Sequence, residues 1–177
     1  MAFEKVHAGR NVPDDCNVII EIPMRSDPIK YEVDKESGTL FVDRFMSTSM
    51  HYPCNYGYMP KTLCDDGDPL DFLVLSPMPV AIGAVVRCRP LGVLRMSDEN
   101  GLDAKILGVP VAEVCRLYDA VRTVHDLPAA TLDQIAHFFE HYKDLEPGKF
   151  VELKGWAGAE EAHMEILRCL EKYSEAA

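Results

Sequence analysis

At 177 residues the chain is long enough for one domain with a sizeable core and too short for two, so residues 1–177 read as a single domain. Its 29 Asp and Glu outweigh 18 Lys and Arg, and the formal net charge of −11 argues against nucleic acid or an anionic membrane as partner. No apolar run approaches membrane-spanning length, the N-terminus shows no signal-like hydrophobic stretch, and the six cysteines form no C-x-x-C pair, so the expectation is reduced thiols in a cytoplasmic protein.

In chain order, residues 1–16 carry Pro13-Asp14-Asp15 and read as a loop-rich lead-in. Residues 17–23 read as a strand in which Glu21 interrupts an apolar run. Residues 30–34 alternate, which places Lys30, Glu32 and Asp34 on one face and Tyr31 and Val33 on the other. Lys35-Glu36-Ser37-Gly38 looks like a hairpin turn, and residues 40–45 return as a strand carrying Arg44. The aromatic stretch 50–60 is rich in turn residues and reads as irregular.

Asp65-Asp66-Gly67-Asp68-Pro69-Leu70-Asp71 then packs four carboxylates into seven residues, ahead of an apolar strand at 72–75. Gly67 permits positive φ, and Pro69 pushes Asp68 towards an extended conformation, so the backbone can aim Asp66, Asp68 and Asp71 at one centre. Crowded carboxylates need a cation or a proton, and all-oxygen ligands suit Mg²⁺, Mn²⁺ or Ca²⁺ rather than zinc. A solvated turn is the plainer reading of D-G-D-P alone, and the spacing does not fit an EF-hand.

A Pro-punctuated loop leads to a long strand over 84–96, and Asn100-Gly101 predicts a two-residue hairpin that sets Asp98 directly opposite Asp103, with Lys105 on the same face. Thr131-x-x-Gln134 predicts a capping box opening a helix to about residue 145, its inward stripe being Leu132, Ile135, Ala136 and Phe139. On the far side His137 and His141 form an i,i+4 pair with Phe138 beside them, and further zinc ligands are missing nearby. Residues 150–156 read as a strand and 158–173 as a last helix with Ile166, Leu167 and Leu170 inward. The expected fold is α+β: five to seven strands in a small closed or half-closed antiparallel barrel, with two helices. Two acidic clusters with Lys30, Arg44, Lys105 and Lys143 on other elements suit metal-assisted phosphoryl transfer.

Asp66-Gly67-Asp68-Pro69-Leu70-Asp71, together with R-F-M-S-T-S-M (44–50), Y-P-C-N-Y-G-Y (52–58), D-A-K (103–105), H-F-F-E-H-Y-K-D-L-E (137–146) and G-W (155–156), resembles the soluble family I inorganic pyrophosphatases of the bacterial type. The resemblance implies an OB-like barrel with helices outside, pyrophosphate as substrate, and Mg²⁺ as the metal, with Mn²⁺ or Zn²⁺ as substitutes and Ca²⁺ as an inhibitor. It implies that Asp66, Asp71 and Asp103 hold one metal, Asp71 bridging to a second. Asp98 with Asp103 would take a metal arriving with substrate, and Glu21 and Glu32 would form an outer acidic shell. Asp68 would be the general base, and Lys30, Arg44, Tyr56, Lys105, Tyr142 and Lys143 would contact phosphate. It also implies a homo-hexamer, with His137, Phe138 and His141 at a subunit contact. Leu102 and Phe72 depart from the family's usual residues. The rival readings are a non-catalytic Ca²⁺ or Mg²⁺ module, a single-strand nucleic-acid binder on an OB-like barrel, and a D-x-D phosphatase. The charge opposes the second, and the strand following rather than preceding the aspartates opposes the third.

Overall fold

A computed structural model describes residues 3–34 and 37–176. Among these, nine strands and two α-helices follow one another as β1 (Gly9–Asn11), β2 (Asp15–Ile22), β3 (Ile29–Val33), β4 (Leu40–Phe45), β5 (Asn55–Tyr58), β6 (Asp71–Val74), β7 (Val85–Asp98), β8 (Gly101–Pro110), α1 (Ala129–His141), β9 (Val151–Ala157) and α2 (Ala159–Ala176). The predicted turn at 35–38 lies partly outside the described residues, since Lys35 and Glu36 are not among them.

The main sheet runs β1-β2-β5-β6-β8-β7-β9, and an additional β2–β7 pairing closes β2, β5, β6, β8 and β7 into a five-stranded barrel. β7 is long enough to serve two partners. Its first residues, Val85–Cys88, pair with β2, a register shift falls between Pro90 and Gly92, and Val93 to Asp98 pair with β9. That irregularity lets one strand leave the barrel wall and collect an outer neighbour. β3 and β4 form a separate hairpin.

Barrel strands bury both faces, so successive residues enter different clusters. Phe72 and Val74 join the cluster that receives Ala162, Ile166 and Cys169 of α2, whereas Leu73 joins the cluster that receives Ile135, Phe138 and Phe139 of α1. Two-sided burial is why β6 reads as an unbroken apolar run. Phe72 is fully buried, and a Cβ on Gly108 would lie 2.7 Å from its ring, so the bulky residue is accommodated by a glycine on the neighbouring strand.

Several expectations are corrected. The stretch 50–60 contains β5, and β6 and β8 run parallel in an otherwise antiparallel set of pairings. The β7–β8 loop is Glu99-Asn100, so Asp98 pairs with Gly101 and Asp103 with Met96; the direct Asp98–Asp103 opposition does not occur. The Asp98 carboxylate accepts from the Asn100 N–H at 2.8 Å, and Gly101 takes φ +117° to leave the loop. Helix α1 begins at Ala129 behind Pro128, with Thr131 N–H bonded to the Pro128 carbonyl, so Thr131 is inside the first turn and caps nothing. It ends at His141, four residues early, because Tyr142 and Lys143 turn inward and are buried. Its apolar stripe is Ile135, Phe138, Phe139 and Tyr142, with Leu132 and Ala136 only half-buried. In α2, Leu167 is exposed and Cys169 takes the inward place.

Candidate active site

The parallel register between β6 and β8 sets Asp71 beside Lys105. Lys105 is 2 % exposed, and its ammonium donates to Asp71 Oδ2 at 2.5 Å and to Asp103 Oδ1 at 3.1 Å. Its Nζ also lies 5.6 Å from the Tyr56 ring centre and 5.3 Å from that of Phe139. Burial disfavours a charged lysine, but Asp103 and Asp71 outweigh it and hold the ammonium well above the ordinary range.

Ahead of β6, the acidic loop is shaped by its own backbone. Gly67 has φ +89°, the Asp68 N–H donates to Asp66 Oδ1 at 3.0 Å, and Cys64 N–H donates to the Asp68 carbonyl at 2.7 Å. Asp66, Asp68, Asp71 and Asp103 therefore reach one cavity of about 430 Å³, also lined by Glu21, Lys30, Glu32, Tyr56, Lys105 and Tyr142. Glu21 is buried on β2, and its carboxylate accepts from Val33 N–H at 2.8 Å, which ties the β3–β4 hairpin to the barrel. Burial pushes Asp66 up against the bond from the Asp68 N–H, and burial likewise pushes Asp103 up against the pull of Lys105.

Arg44, Asp98 and Lys143 stand outside that lining. Lys30 and Arg44 face each other across β3–β4, with Lys30 bonded to Glu32 and 3.5 Å from Asp43. Arg44 Nε lies 3.3 Å from Glu146. Lys143 is buried and donates to Asp98 at 2.7 Å and to Glu99 at 3.3 Å. Burial opposes the Asp98 charge, but Lys143 and the Asn100 N–H hold its carboxyl below the ordinary range.

Sequence reasoning passed over Tyr52, Tyr58 and Phe139 as lining residues, and over Glu99, Asp43 and Glu146 as partners of the cations. Tyr58 was findable in principle, since pairing β5 with β6 sets it opposite Asp71. Phe138 is not a surface residue: it is 3 % exposed and packs on Tyr52 and Tyr142 with ring centres 4.7 and 5.4 Å apart. His137 and His141 do lie outward with rings 4.7 Å apart, and His141 Nδ1 is 2.9 Å from Asp144.

Among the described residues, no three His, Cys, Asp or Glu side chains enclose a metal-sized position as they stand. The donor set nevertheless fits a hard divalent cation: the Asp66, Asp71 and Asp103 donors are all oxygen, and Asp66 and Asp103 are disfavoured as anions without positive charge nearby. Lys105 supplies part of that charge. No helix of the described residues is long and apolar enough to cross a membrane.

The chain is 57% identical over 172 residues to the inorganic pyrophosphatase of Escherichia coli strain K12, covering 97% of this chain and 98% of that protein. It is 54% identical over 177 residues to that of Xanthomonas campestris pv. campestris, covering 100% and 99%. A solved inorganic pyrophosphatase from Coxiella burnetii superposes with a TM-score of 0.92 at 53% identity, covering 95% of this chain and 99% of that one. The family described as inorganic pyrophosphatase matches residues 18–174, and with the barrel and its acidic cavity in place the chain belongs to that family.

Proposed function

We propose that the cavity between the acidic loop, β8 and the β3–β4 hairpin hydrolyses inorganic pyrophosphate to two phosphates, with Asp68 accepting the proton of the attacking water. The observation that carries this reading is the meeting of Asp66, Asp68, Asp71 and Asp103 with Lys30, Lys105 and Tyr56 around one cavity. A phosphoanhydride needs its negative charge neutralised on both sides of the breaking bond, and this wall offers carboxylates for metal alongside cations for phosphate. Asp66, Asp71 and Asp103 would hold divalent metal, taken here as Mg²⁺, with Asp98 contributing beside Asp103. Bound metal would supply Lewis acidity and an acidified water. Lys30, Tyr56 and Tyr142 of the lining would orient phosphate oxygens, Arg44 and Lys143 would join them from outside that lining, and Lys105 would exchange part of its carboxylate pairing for them. Glu21 and Glu32 remain outer acidic groups. A metal-binding module without catalysis has no observation in its favour.

Assembly and location extend the same reading. The chain is taken to work in the cytoplasm as a homo-hexamer, with exposed His137 and His141 at a subunit contact and Phe138 behind them as packing. A groove of about 540 Å³ beside His137, lined also by Met50, His51 and Pro53, supports a partner on that face.

Asp68→Asn tests the chemistry. General bases contribute about 10²–10⁴-fold, so phosphate release should fall by at least that order while Mg²⁺ still raises the melting temperature. Near-native turnover at neutral pH would remove Asp68 from the role.

A further inference from the structure

All six cysteines are free thiols, and two of them meet: Cys64 Sγ and Cys169 Sγ lie 3.3 Å apart. Cys64 precedes the acidic loop and Cys169 lies on the inner face of α2, so the contact joins segments 105 residues apart. The backbones are already locked side by side. Leu63 N–H donates to the Cys169 carbonyl at 2.9 Å, and Lys172 donates to the Cys64 carbonyl at 2.9 Å. Arg168 and Lys172 both clasp Asp65, at 3.0 and 2.8 Å. Two thiols held this way on fixed backbones need only a small side-chain movement to bond.

Their exposures differ. Cys169 is fully buried, whereas Cys64 is half-buried and lines a second cavity of about 360 Å³ among the acidic loop, β7, β8, β9 and α2, whose wall holds six Asp and Glu side chains beside Arg95, Lys154 and Arg168. A small molecule can therefore reach one sulfur but not the other. We propose that Cys64 and Cys169 form a thiol pair that a low-molecular-weight disulfide oxidises reversibly, stapling α2 to the loop that carries Asp66 and Asp68. Cys64 sulfur attacks one sulfur of the small disulfide, forming a mixed disulfide and releasing one small thiol. Cys169 sulfur then attacks Cys64 sulfur and expels the second small thiol. Two protein thiols become one disulfide, and one small disulfide becomes two thiols.

The test is overnight incubation of the full-length protein with oxidised glutathione, followed by alkylation and peptide mapping under non-reducing conditions. The expected product is a cross-linked peptide pair holding Cys64 and Cys169, lighter by two hydrogens and reversed by dithiothreitol. The oxidised form should melt higher by roughly 5–10 °C, because a long loop is closed in the unfolded chain, and amides of residues 64–68 should exchange more slowly. In Cys169→Ser, or in Cys169→Ala if the first folds poorly, Cys64 should stop at the glutathione adduct with no rise in melting temperature. A stable glutathione adduct on Cys64 in the unaltered protein, both cysteines alkylated, or either one bonded elsewhere would overturn the proposal.

Discussion

Glu21 stands on a barrel strand between two isoleucines, where a carboxylate has little water to solvate it. Burial pushes its carboxyl from the ordinary 4.5 up to about 8, against the Val33 N–H and with help from Asp71 and Glu32. A carboxyl that binds its proton more tightly in the folded chain stabilises the fold fully below the unfolded pKa and loses that contribution as pH rises through the folded one. The metal-free protein should therefore lose stability between about pH 4.5 and 8 on account of this group. Urea midpoints in the presence of a chelator check it: Glu21→Gln should flatten the slope over that window, and an unchanged slope would show that other groups set it. The same residue was visible in the sequence as an acid interrupting an apolar strand, but its burial was not. Burial depends on the β3–β4 hairpin folding over it, which no local pattern announces.

The β7–β8 hairpin shows what can be read of an element and what cannot. Gly101 leaves the loop at φ +117°, a region that penalises any Cβ, and no other atom crowds the position. Gly101→Ala should cost about 1–2 kcal/mol and lower the melting temperature by about 2–8 °C in thermal denaturation; an unchanged value would mean that the loop relaxes freely. The sequence announces the turn through Asn100-Gly101, and the strands through alternation, so 30–34, 40–45 and 150–156 fall within a residue or two of β3, β4 and β9. Register is another matter. The loop begins one residue earlier than Asn-Gly chemistry suggests, because Lys143 draws Asp98 and Glu99 together from a distant segment. The faces survive the slip, so Asp98, Asp103 and Lys105 remain on one side, now diagonal rather than opposed. β5 was missed because Tyr56 and Tyr58 pack in a short strand flanked by turn residues. The capping box at Thr131 failed because Pro128 starts the helix first.

At the scale of the molecule, the acidic loop, the hairpin and the end of α1 come from far-apart stretches, so the cavity was legible only as a list of its parts. The motif resemblance supplied the list, and strand pairing supplies the arrangement. Assembly is testable on the same scale. His137 and His141 stand on the outward side of α1 with rings 4.7 Å apart, so substitutions there probe the contact directly. Sedimentation at pH 8 should show a hexamer, and a His137→Ala, His141→Ala double variant should loosen it. A monomer at micromolar concentration and pH 8 would remove the contact altogether.

The parallel pairing of β6 with β8 also has a kinetic meaning. Asp71 and Lys105 are 34 residues apart and become neighbours only after the β7–β8 hairpin has swung back against β6. Such a closure is among the slower events a chain can undergo, since its entropy is lost before its contacts are gained. The wall of the cavity is thus completed late, and a cation bound there should find no partner in the folding transition state. Saturating Mg²⁺ should slow unfolding in stopped-flow experiments and leave the refolding rate nearly unchanged. A refolding rate that climbs with Mg²⁺ would place this closure early instead.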